Sequence, residues 1–417
     1  MRPKAPWWWF AGLSLGLAMV LAGCSSTATV TVTSTGTAGA TATATNAGAS
    51  GGGSAPTAAP AVAPQHAFAW FQVDSHNVPQ IWASINGGNP QQITHVAPDG
   101  AACDDQVAWS PPVFSPDLTH IVASLGSFNC GDGALTGPVS VITVSNGSIH
   151  TLSSSLQVAG VDARSMGWLD NSHIWFITYA NVYTYTLGAS APTQALGSNP
   201  GLRDAVRRGS TLFLQVETPT TPNDWTIEQF NLSSHMIEGI AIDQGNTGAC
   251  KCSPGDAHGP GWDVAPDGFH ITYQKVTPNT SSQGGIASSK IYTSGTDGAN
   301  KKQIALAMIT TATCLLQYSW DGQWIAFTEA PPSPATLTAS VNTSGGSGDP
   351  NFHGYSPDTS QYPVWKWDNS QFWAATVSVD AMGGSLPSNA GIENFHRNGS
   401  SSLGVAKGFN PWYTVGG

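Results

Sequence analysis

The sequence predicts an all-β protein, a β-propeller built from four-stranded blades. Three observations lead to this fold class: a turn-and-strand pattern that recurs along the chain, a composition rich in turn-forming residues, and short strands at regular spacing. The chain has 417 residues, of which only 9% are charged, and it contains 47 glycines and 28 prolines. Helices usually carry more Glu, Lys and Arg than this, whereas turn-rich β proteins are rich in Gly and Pro.

The recurring pattern is a tight polar turn with Asp near its centre, followed by an apolar strand. Its clearest copies span residues 113–124, 263–273 and 318–328, and looser copies span 167–177 and 365–375. We expect the carboxylate in each turn to accept hydrogen bonds from nearby main-chain amides, which is a structural role. The five turn residues are Asp117, Asp170, Asp267, Asp321 and Asp368.

Short predicted strands follow one another in groups of four from His66 to the C-terminus. The groups recur at roughly 40–60 residues, a period typical of propeller blades. The first group lacks a first strand, and Phe409–Val415 is a strand without partners of its own. We therefore predict that the C-terminal strand completes the first blade and closes a ring of seven blades. If the irregular stretch from Pro331 to Tyr362 is an insertion, the ring has six.

The repeated turn resembles the WD40-like repeat of TolB-type propellers, in which an aromatic or apolar residue and Ser-Pro-Asp-Gly precede an apolar strand. The segments that match it best are 115–117, 265–268 and 319–322, while the unit around 202–216 departs from it. The resemblance covers most of residues 66–417 and implies the propeller fold. It implies little about function, because propellers host binding, scaffolding and several chemistries.

The N-terminus has the features of an export signal. Arg2 and Lys4 precede an apolar run, residues 7–21, that is too short for a comfortable membrane span. The run leads into Leu-Ala-Gly-Cys24, which resembles the lipobox of bacterial lipoproteins. The resemblance implies a signal peptide over residues 1–23, cleavage before Cys24, and lipid attachment that holds the protein on the outer side of the cell membrane. An ordinary secretory signal and an uncleaved transmembrane anchor are the alternatives.

The segment behind Cys24 is almost entirely Ala, Thr, Ser, Gly and Pro as far as residue 64. Such a composition cannot bury a core, so we expect 24–64 to be the lipidated cysteine and a disordered tether. A chain of this length reaches roughly 30–40 Å on average. Residues 65–417 then form the propeller domain.

The remaining cysteines suit disulfide bonds in an exported protein. In a propeller, the connections into the first strand of a blade and those between its second and third strands lie on one face. We therefore expect Cys103 to pair with Cys130, and Cys314 to pair with Cys250 or Cys252. A metal site that adds Asp256 and His258 to Cys250 and Cys252 is the alternative, but this spacing is loose for zinc.

The same face collects four candidate ligand-binding residues, Asp104, Asp105, Asp256 and His258. Propellers bind ligands at one mouth of the central channel, which makes this cluster the predicted site; the alternative is that these are solvated loop residues. No hydrolase, phosphate-binding or dinucleotide motif lies in the predicted propeller. The sequence therefore predicts no catalytic residue, no metal and no cofactor.

The formal net charge of −11, without a long run of Lys or Arg, argues against a nucleic-acid partner. We expect a monomeric, lipid-anchored extracytoplasmic propeller that binds or scaffolds an envelope protein, a peptide or an extracellular ligand such as a glycan, without catalysis. The alternative function is a glycan lyase or hydrolase with paired carboxylates at the channel mouth. A solute-sensing domain is a third hypothesis.

Overall fold

The structure is a computed structural model that describes residues 65–76, 78–97, 112–124, 128–129, 133–134, 137–156, 158, 164–197, 199–217, 224–246, 261–278, 286–306, 312–330, 337–344, 351–353, 358–366, 369, 371–378, 391–396, 401–407 and 409–415. All of them belong to one compact unit, Val62–Gly417. The signal peptide, Cys24 and the tether predicted for residues 1–64 lie outside the described residues. In the described ranges, no helix has the length and apolar character needed to cross a membrane.

The described strands form seven four-stranded antiparallel sheets and one two-stranded hairpin. The first blade contains β1 (His66–Val73), β2 (Pro79–Ile85) and β3 (Gln91–Gln92). The second contains β4 (Val113–Phe114), β5 (His120–Ser124), a hairpin of β6 (Phe128–Asn129) and β7 (Gly133–Ala134), then β8 (Val139–Thr143) and β9 (Ile149–Thr151).

The next three blades are regular four-stranded meanders. The third contains β10 (Met166–Trp168), β11 (His173–Ile177), β12 (Val182–Thr186) and β13 (Thr193–Leu196). The fourth contains β14 (Leu202–Arg208), β15 (Thr211–Glu217), β16 (Asp224–Asn231) and β17 (Met236–Asn246). The fifth contains β18 (Trp262–Val264), β19 (His270–Pro278), β20 (Ile286–Gly295) and β21 (Lys302–Leu306).

The last two blades precede the closing strand. The sixth contains β22 (Ala312–Tyr318), β23 (Trp324–Ala330), β24 (Leu337–Asn342) and β25 (Asn351–His353). The seventh contains β26 (Asp358–Trp365), β27 (Gln371–Ser378), β28 (Gly391–His396) and β29 (Ser401–Lys407). The chain ends in β30 (Phe409–Val415).

Neighbouring sheets contact one another around a ring, mostly through the first strand of each sheet. β4 contacts β10, β14 contacts both β11 and β18, β18 contacts β22, and β22 contacts β26. β26 contacts β30, and β30 contacts β4, which completes the circle. These contacts place one strand of each sheet nearest the axis; we call these the inner strands. The predicted all-β propeller of four-stranded blades is confirmed.

The C-terminal strand closes the ring. β30 pairs antiparallel with β1, with His66 opposite Val415 and Ala69 opposite Trp412, so β30 serves as the inner strand of the first blade. The predicted closure is confirmed. A closed ring leaves no unpaired inner edge, which is why the first group of strands needs no first strand of its own.

The apolar core lies between neighbouring blades. Phe71 and Phe114 share one cluster across the first two blades, and Trp225 of the fourth packs with Trp262 of the fifth in another. Among the described side chains, apolar residues of adjacent blades meet in such clusters, so neighbouring blades bury one another's apolar faces. Deleting a buried aromatic side chain of this kind typically costs about 3–5 kcal/mol.

The ring has two faces, which the strand directions define. The inner strands begin on one side, which we call the loop face; it carries the connections 93–112 and 247–261 into inner strands and the 178–181 loop between β11 and β12. They end on the other side, the turn face, which carries the Asp turns 115–119, 169–172, 265–269 and 319–323.

The stretch from Pro331 to Tyr362, which has no regular strand pattern in the sequence, contains strands of the sixth and seventh blades. β25 (Asn351–His353) supplies the fourth strand of the sixth blade, and β26 begins at Asp358, before the predicted strand. The register of β26 against β27 shifts between Gln361 and Val364, around Pro363. Proline within a strand occurs mainly at edges and bulges. The bulge around Pro363 interrupts the alternation of side chains, so the sequence pattern does not predict the first part of β26.

Candidate functional site

The Asp turns lie on the turn face and are held by their own carboxylates. The main-chain N–H two residues after the Asp donates to Oδ1 in all four described turns: Thr119 to Asp117 at 3.1 Å, Ser172 to Asp170 at 2.7 Å, Phe269 to Asp267 at 2.8 Å and Gln323 to Asp321 at 3.0 Å. Asp368 lies outside the described residues. In the described turns, each Asp carboxylate accepts a hydrogen bond from the main chain of its own turn and thereby stabilises that turn.

Two of these turns are also tied to the next blade. The main-chain N–H of Asp117 donates to Asn171 Oδ1 at 3.0 Å, and that of Asp321 donates to Asn369 Oδ1 at 3.2 Å. In the two looser copies of the repeat, the side-chain amide oxygen of the Asn that follows the Asp thus accepts a hydrogen bond from the Asp turn of the preceding blade. This pairing repeats between the second and third blades and between the sixth and seventh.

The predicted ligand residues Asp104, Asp105, Asp256 and His258 lie outside the described residues, as do Cys103, Cys130, Cys250 and Cys252. The inner strands β4 and β18, which follow two of the stretches that contain them, begin on the loop face. Cys130 falls between β6 and β7, the hairpin that joins the second and third strands of its blade. Cys314 lies within the inner strand β22, opposite Thr328, and not in the loop before it.

A cluster of buried charges links inner strands on the third to sixth blades. Arg164, just before β10, donates through Nη2 to Asp204 Oδ2 and through Nη1 to Asp263 Oδ1, both at 2.7 Å. The side chains of Asp204 and Asp263 are 2% and 3% exposed. Since Asp204 is on β14 and Asp263 is on β18, one guanidinium bridges three blades.

Main-chain groups complete the hydrogen bonding of the cluster. The N–H of Arg164 donates to Asp204 Oδ1 at 2.8 Å, and the N–H of Tyr318 donates to Asp263 Oδ2 at 2.7 Å. Arg164 also donates to the carbonyl of Trp262 at 2.7 Å, and its guanidinium lies 5.0 Å from the centre of that indole. Both carboxylates are therefore paired and hydrogen-bonded, which offsets the cost of burying them.

Arg208 extends the same cluster toward the turn face. Its guanidinium Nη2 lies 3.4 Å from Asp263 Oδ1, and its Nε donates to the carbonyls of Val264 and Ala265. Two arginines and two aspartates make the cluster formally neutral. It acts as an inter-blade brace, because removal of either partner leaves a charge buried without its counter-ion.

Burial and ion pairing have opposite effects on the pKa values of Arg164 and Asp204. Burial raises the pKa of Asp204, and Arg164 opposes that rise. Burial acts to lower the pKa of Arg164, but Asp204 and Asp263 outweigh it, so the pKa is raised above its ordinary value. Burial, with Asp263 and Asp267 nearby, also raises the pKa of the Tyr318 hydroxyl. The guanidinium stays charged, and the brace is an ion-paired structure.

Sequence reasoning missed the brace. Its members are 40 and 99 residues from Arg164, and no short pattern connects them. The available signal was an Asp inside each of two inner strands, Leu202–Arg208 and Trp262–Val264. A charge in a strand that must be buried requires a partner.

The loop face carries an open groove between the second and third blades. Its volume is about 310 Å³, and Tyr179, 48% exposed, lies at its edge. The guanidinium of Arg203 lies 5.0 Å from the centre of the Tyr179 ring and pairs with Glu217 at 2.7 Å. The groove is lined by Ser155, Leu156, Thr178, Tyr179, Ala180, Asn181 and Tyr183.

The groove offers an aromatic surface beside hydroxyl and amide groups, and such surfaces suit a peptide or a sugar. Within the described ranges, no group of three or more His, Cys, Asp or Glu side chains is placed to hold a metal ion.

Comparison with known proteins gives structural likenesses at low identity. The chain matches no protein-family model and no curated protein sequence. TolB from Acinetobacter baumannii is 11% identical with a TM-score of 0.43, over 84% of this chain and 66% of that chain. One of two prolyl endopeptidases is 11% identical with a TM-score of 0.48, over 81% of this chain and 46% of that chain.

An oligogalacturonate lyase in complex with manganese is 12% identical with a TM-score of 0.49, over 80% of this chain and 83% of that chain. The chain thus spans just under two thirds of the TolB chain and less than half of the prolyl endopeptidase chain. The three proteins are a TolB, a prolyl endopeptidase and a lyase, and each TM-score is below 0.5, so these likenesses carry no argument about function.

Proposed function

We propose that the chain is a lipid-anchored, extracytoplasmic propeller that binds or scaffolds an envelope protein, a peptide or another extracellular ligand at its loop face, without catalysis. The observation that carries this proposal is the pairing of the inner-strand carboxylates. Asp204 and Asp263 are buried, hydrogen-bonded and ion-paired to Arg164. They rigidify the ring and are not presented to a substrate.

The loop face supports the binding role. It carries the connections 93–112, 125–138 and 247–261, and the groove beside Tyr179. A rigid scaffold that presents variable connections on one side is the usual basis of recognition by propellers and similar folds. The predicted residues Asp104, Asp105, Asp256 and His258 belong to the same connections.

The enzyme hypothesis requires two carboxyl groups at a spacing that admits a glycan, with at least one able to exchange a proton. Among the described inner-strand residues, the two buried aspartates are each held by an arginine. The binding role therefore has the stronger support.

The test is affinity capture with the whole protein purified from membranes. The immobilised protein is incubated with detergent-solubilised envelope and with culture medium, and bound proteins, glycans and metals are identified by mass spectrometry. Tyr179→Ala removes the aromatic ring from the groove edge, and Ile149→Ala, an exposed apolar residue at the turn-face end of β9, is the matched control.

A reproducible ligand whose affinity falls about tenfold or more in Tyr179→Ala and is unchanged in Ile149→Ala supports the proposal, since central aromatic contacts commonly contribute about 2 kcal/mol. A captured glycan that the protein depolymerises would establish the enzyme instead. Failure to capture any ligand from either source contradicts the binding role.

A further inference from the structure

Large apolar side chains are exposed on hairpin tips of three consecutive blades. Phe269 is 73% exposed and Trp320 is 40% exposed, in the Asp turns of the fifth and sixth blades. Met236, at 63%, and Ile237 begin β17 in the fourth blade. All four lie on the turn face, and we call them the apolar tips.

The Asp turns of other blades do not carry such residues at the same positions. Two residues after the Asp, where the fifth blade has Phe269, the other described turns have Thr119, Ser172 and Gln323. One residue before the Asp, where the sixth blade has Trp320, the second and fifth have Pro116 and Pro266. The fold therefore does not require an aromatic residue at either position.

The turns hold these side chains outward on a fixed backbone. The N–H of Phe269 donates to Asp267 Oδ1 at 2.8 Å, and its carbonyl accepts from the N–H of Thr296 at 2.9 Å. The indole N–H of Trp320 donates to the carbonyl of Trp365 at 3.1 Å. Hydrogen bonds thus hold the main chain of Phe269 and the indole of Trp320 in place. The Phe269 ring remains exposed to water, which is unfavourable for an apolar side chain.

The tips belong to one continuous stretch of the turn face. Gln229 of the fourth blade donates to the carbonyl of Thr296 in the fifth at 2.9 Å, beside Phe269. A Cβ at Gly322 of the sixth blade would lie 4.0 Å from Cδ of Pro266 in the fifth. The turns of the fourth, fifth and sixth blades therefore lie side by side on this face.

The path of the chain identifies the occupant of this surface. β1 starts at His66, which pairs with Val415 at the end of the inner strand β30. Inner strands end on the turn face, so β1 begins on the face that carries the tips. A lipid on Cys24, about 40 residues before β1, would therefore be joined to the propeller on that side.

We propose that the apolar tips rest in the lipid interface to which the chain is anchored, so that the turn face meets the membrane and the loop face points away from it. This inference rests on the proposed lipid anchor. Trp and Phe partition to the membrane interface. The indole N–H of Trp320 is hydrogen-bonded within the protein, and 40% of the residue is exposed. Such contact also leaves the loop-face groove open to ligands.

Hydrogen–deuterium exchange of the lipidated protein on vesicles of phosphatidylethanolamine and phosphatidylglycerol tests this. The protein carries a protease site within residues 27–64, and exchange is compared before cleavage and after cleavage with the vesicles removed. Peptides that contain 232–239, 266–270 and 318–323 should exchange more slowly while anchored, and a peptide containing the loop-face segment 178–181 should not change.

Variants separate tip contact from simple tethering. Met236→Ser with Phe269→Ser should abolish the slower exchange although the protein still floats with the vesicles, and Tyr179→Ser, an exposed ring on the loop face, should retain it. Unchanged thermal unfolding of each variant shows that the ring remains folded.

Flotation without slower exchange at the tips overturns this inference and leaves the anchor standing. Failure to float overturns the anchor and this inference together. Slower exchange that needs a co-purified protein, and is absent on pure lipid vesicles, would identify the turn face as a protein-binding surface and contradict the lipid assignment.

Discussion

Arg164 Nη1 donates to Asp263 Oδ1 at 2.7 Å across 99 residues of sequence. The contact passes from the third blade to the fifth, and the same guanidinium holds Asp204 of the intervening blade. Asp263 in turn accepts from Tyr318 in the sixth blade. One arginine and the aspartates that it holds therefore link the inner strands of four successive blades.

Replacement of Arg164 by Met should strongly destabilise the propeller. It leaves Asp204 and Asp263 buried without this counter-ion, a loss that costs about 3–5 kcal/mol for a buried pair. Urea denaturation measures the free energy of unfolding. Arg203→Met is the matched control, because the pair of Arg203 with Glu217 is substantially exposed and such pairs contribute about 1 kcal/mol or less.

Equal effects of Arg164→Met and Arg203→Met would show that the brace adds nothing beyond a surface ion pair. A double variant, Arg164→Met with Asp204→Asn, should recover part of the loss, because it removes the carboxylate that is left without a counter-ion, whereas Asp263 keeps Arg208 at 3.4 Å.

Deletion of residues 409–415 should abolish cooperative unfolding. It removes β30, which pairs with β1 and contacts β4 and β26, and so exposes the inner edges of the first blade. Differential scanning calorimetry reads the transition. Removal of Gly416 and Gly417 alone is the control and should leave it unchanged. A single sharp transition at the wild-type temperature after deletion of β30 would refute closure as a source of stability.

Sequence patterns predicted the fold well because the blade is a local unit. The Asp turn is set by nearby residues: Gly268 and Gly322 follow the Asp with φ of +75° and +69°, a backbone conformation that favours glycine, and the apolar strand follows directly. Closure was also predictable, since a strand without partners and a blade without a first strand complete each other.

The brace and the apolar tips were not predictable in the same way. Arg164 meets its partners only after three blades have packed, so its contacts depend on tertiary geometry. No sequence pattern separates the exposed Phe269 and Trp320 from the buried Trp262, and only their exposure in the structure distinguishes them. The candidate site residues on the loop-face connections remain predictions.

Acid should weaken the turn of the third blade. Slight burial acts to raise the pKa of Asp170, but hydrogen bonds from Ser172 and His173 lower it from 3.8 to about 2. Because the folded pKa lies below the unfolded one, the contribution of Asp170 is complete above about pH 4 and is lost as the pH falls toward 2. Asp170→Asn should therefore be destabilising at neutral pH, and the difference from wild type should shrink in acid. Urea denaturation at several pH values measures it, and a difference that is constant from neutral pH to pH about 2 would contradict the assignment.

The loop face should carry a disulfide bond between Cys103 and Cys130. Cys103 lies in the connection into β4, and Cys130 lies between β6 and β7, so both connections open on that face. Peptide mapping without reductant should find the linked pair, and the link should disappear on reduction. Free thiols at both positions in protein purified from the cell envelope would contradict the pairing.

The most direct measurement of the anchored-propeller hypothesis is the intact mass of the mature protein together with its distribution between membrane and soluble fractions. We predict that the chain starts at Cys24, carries the mass of a diacylglyceryl group and commonly a further acyl chain, and sediments with membranes, whereas Cys24→Ala releases it. A mature chain without lipid mass at Cys24, or membrane retention of Cys24→Ala, would contradict the anchor and with it the placement of the turn face against the bilayer.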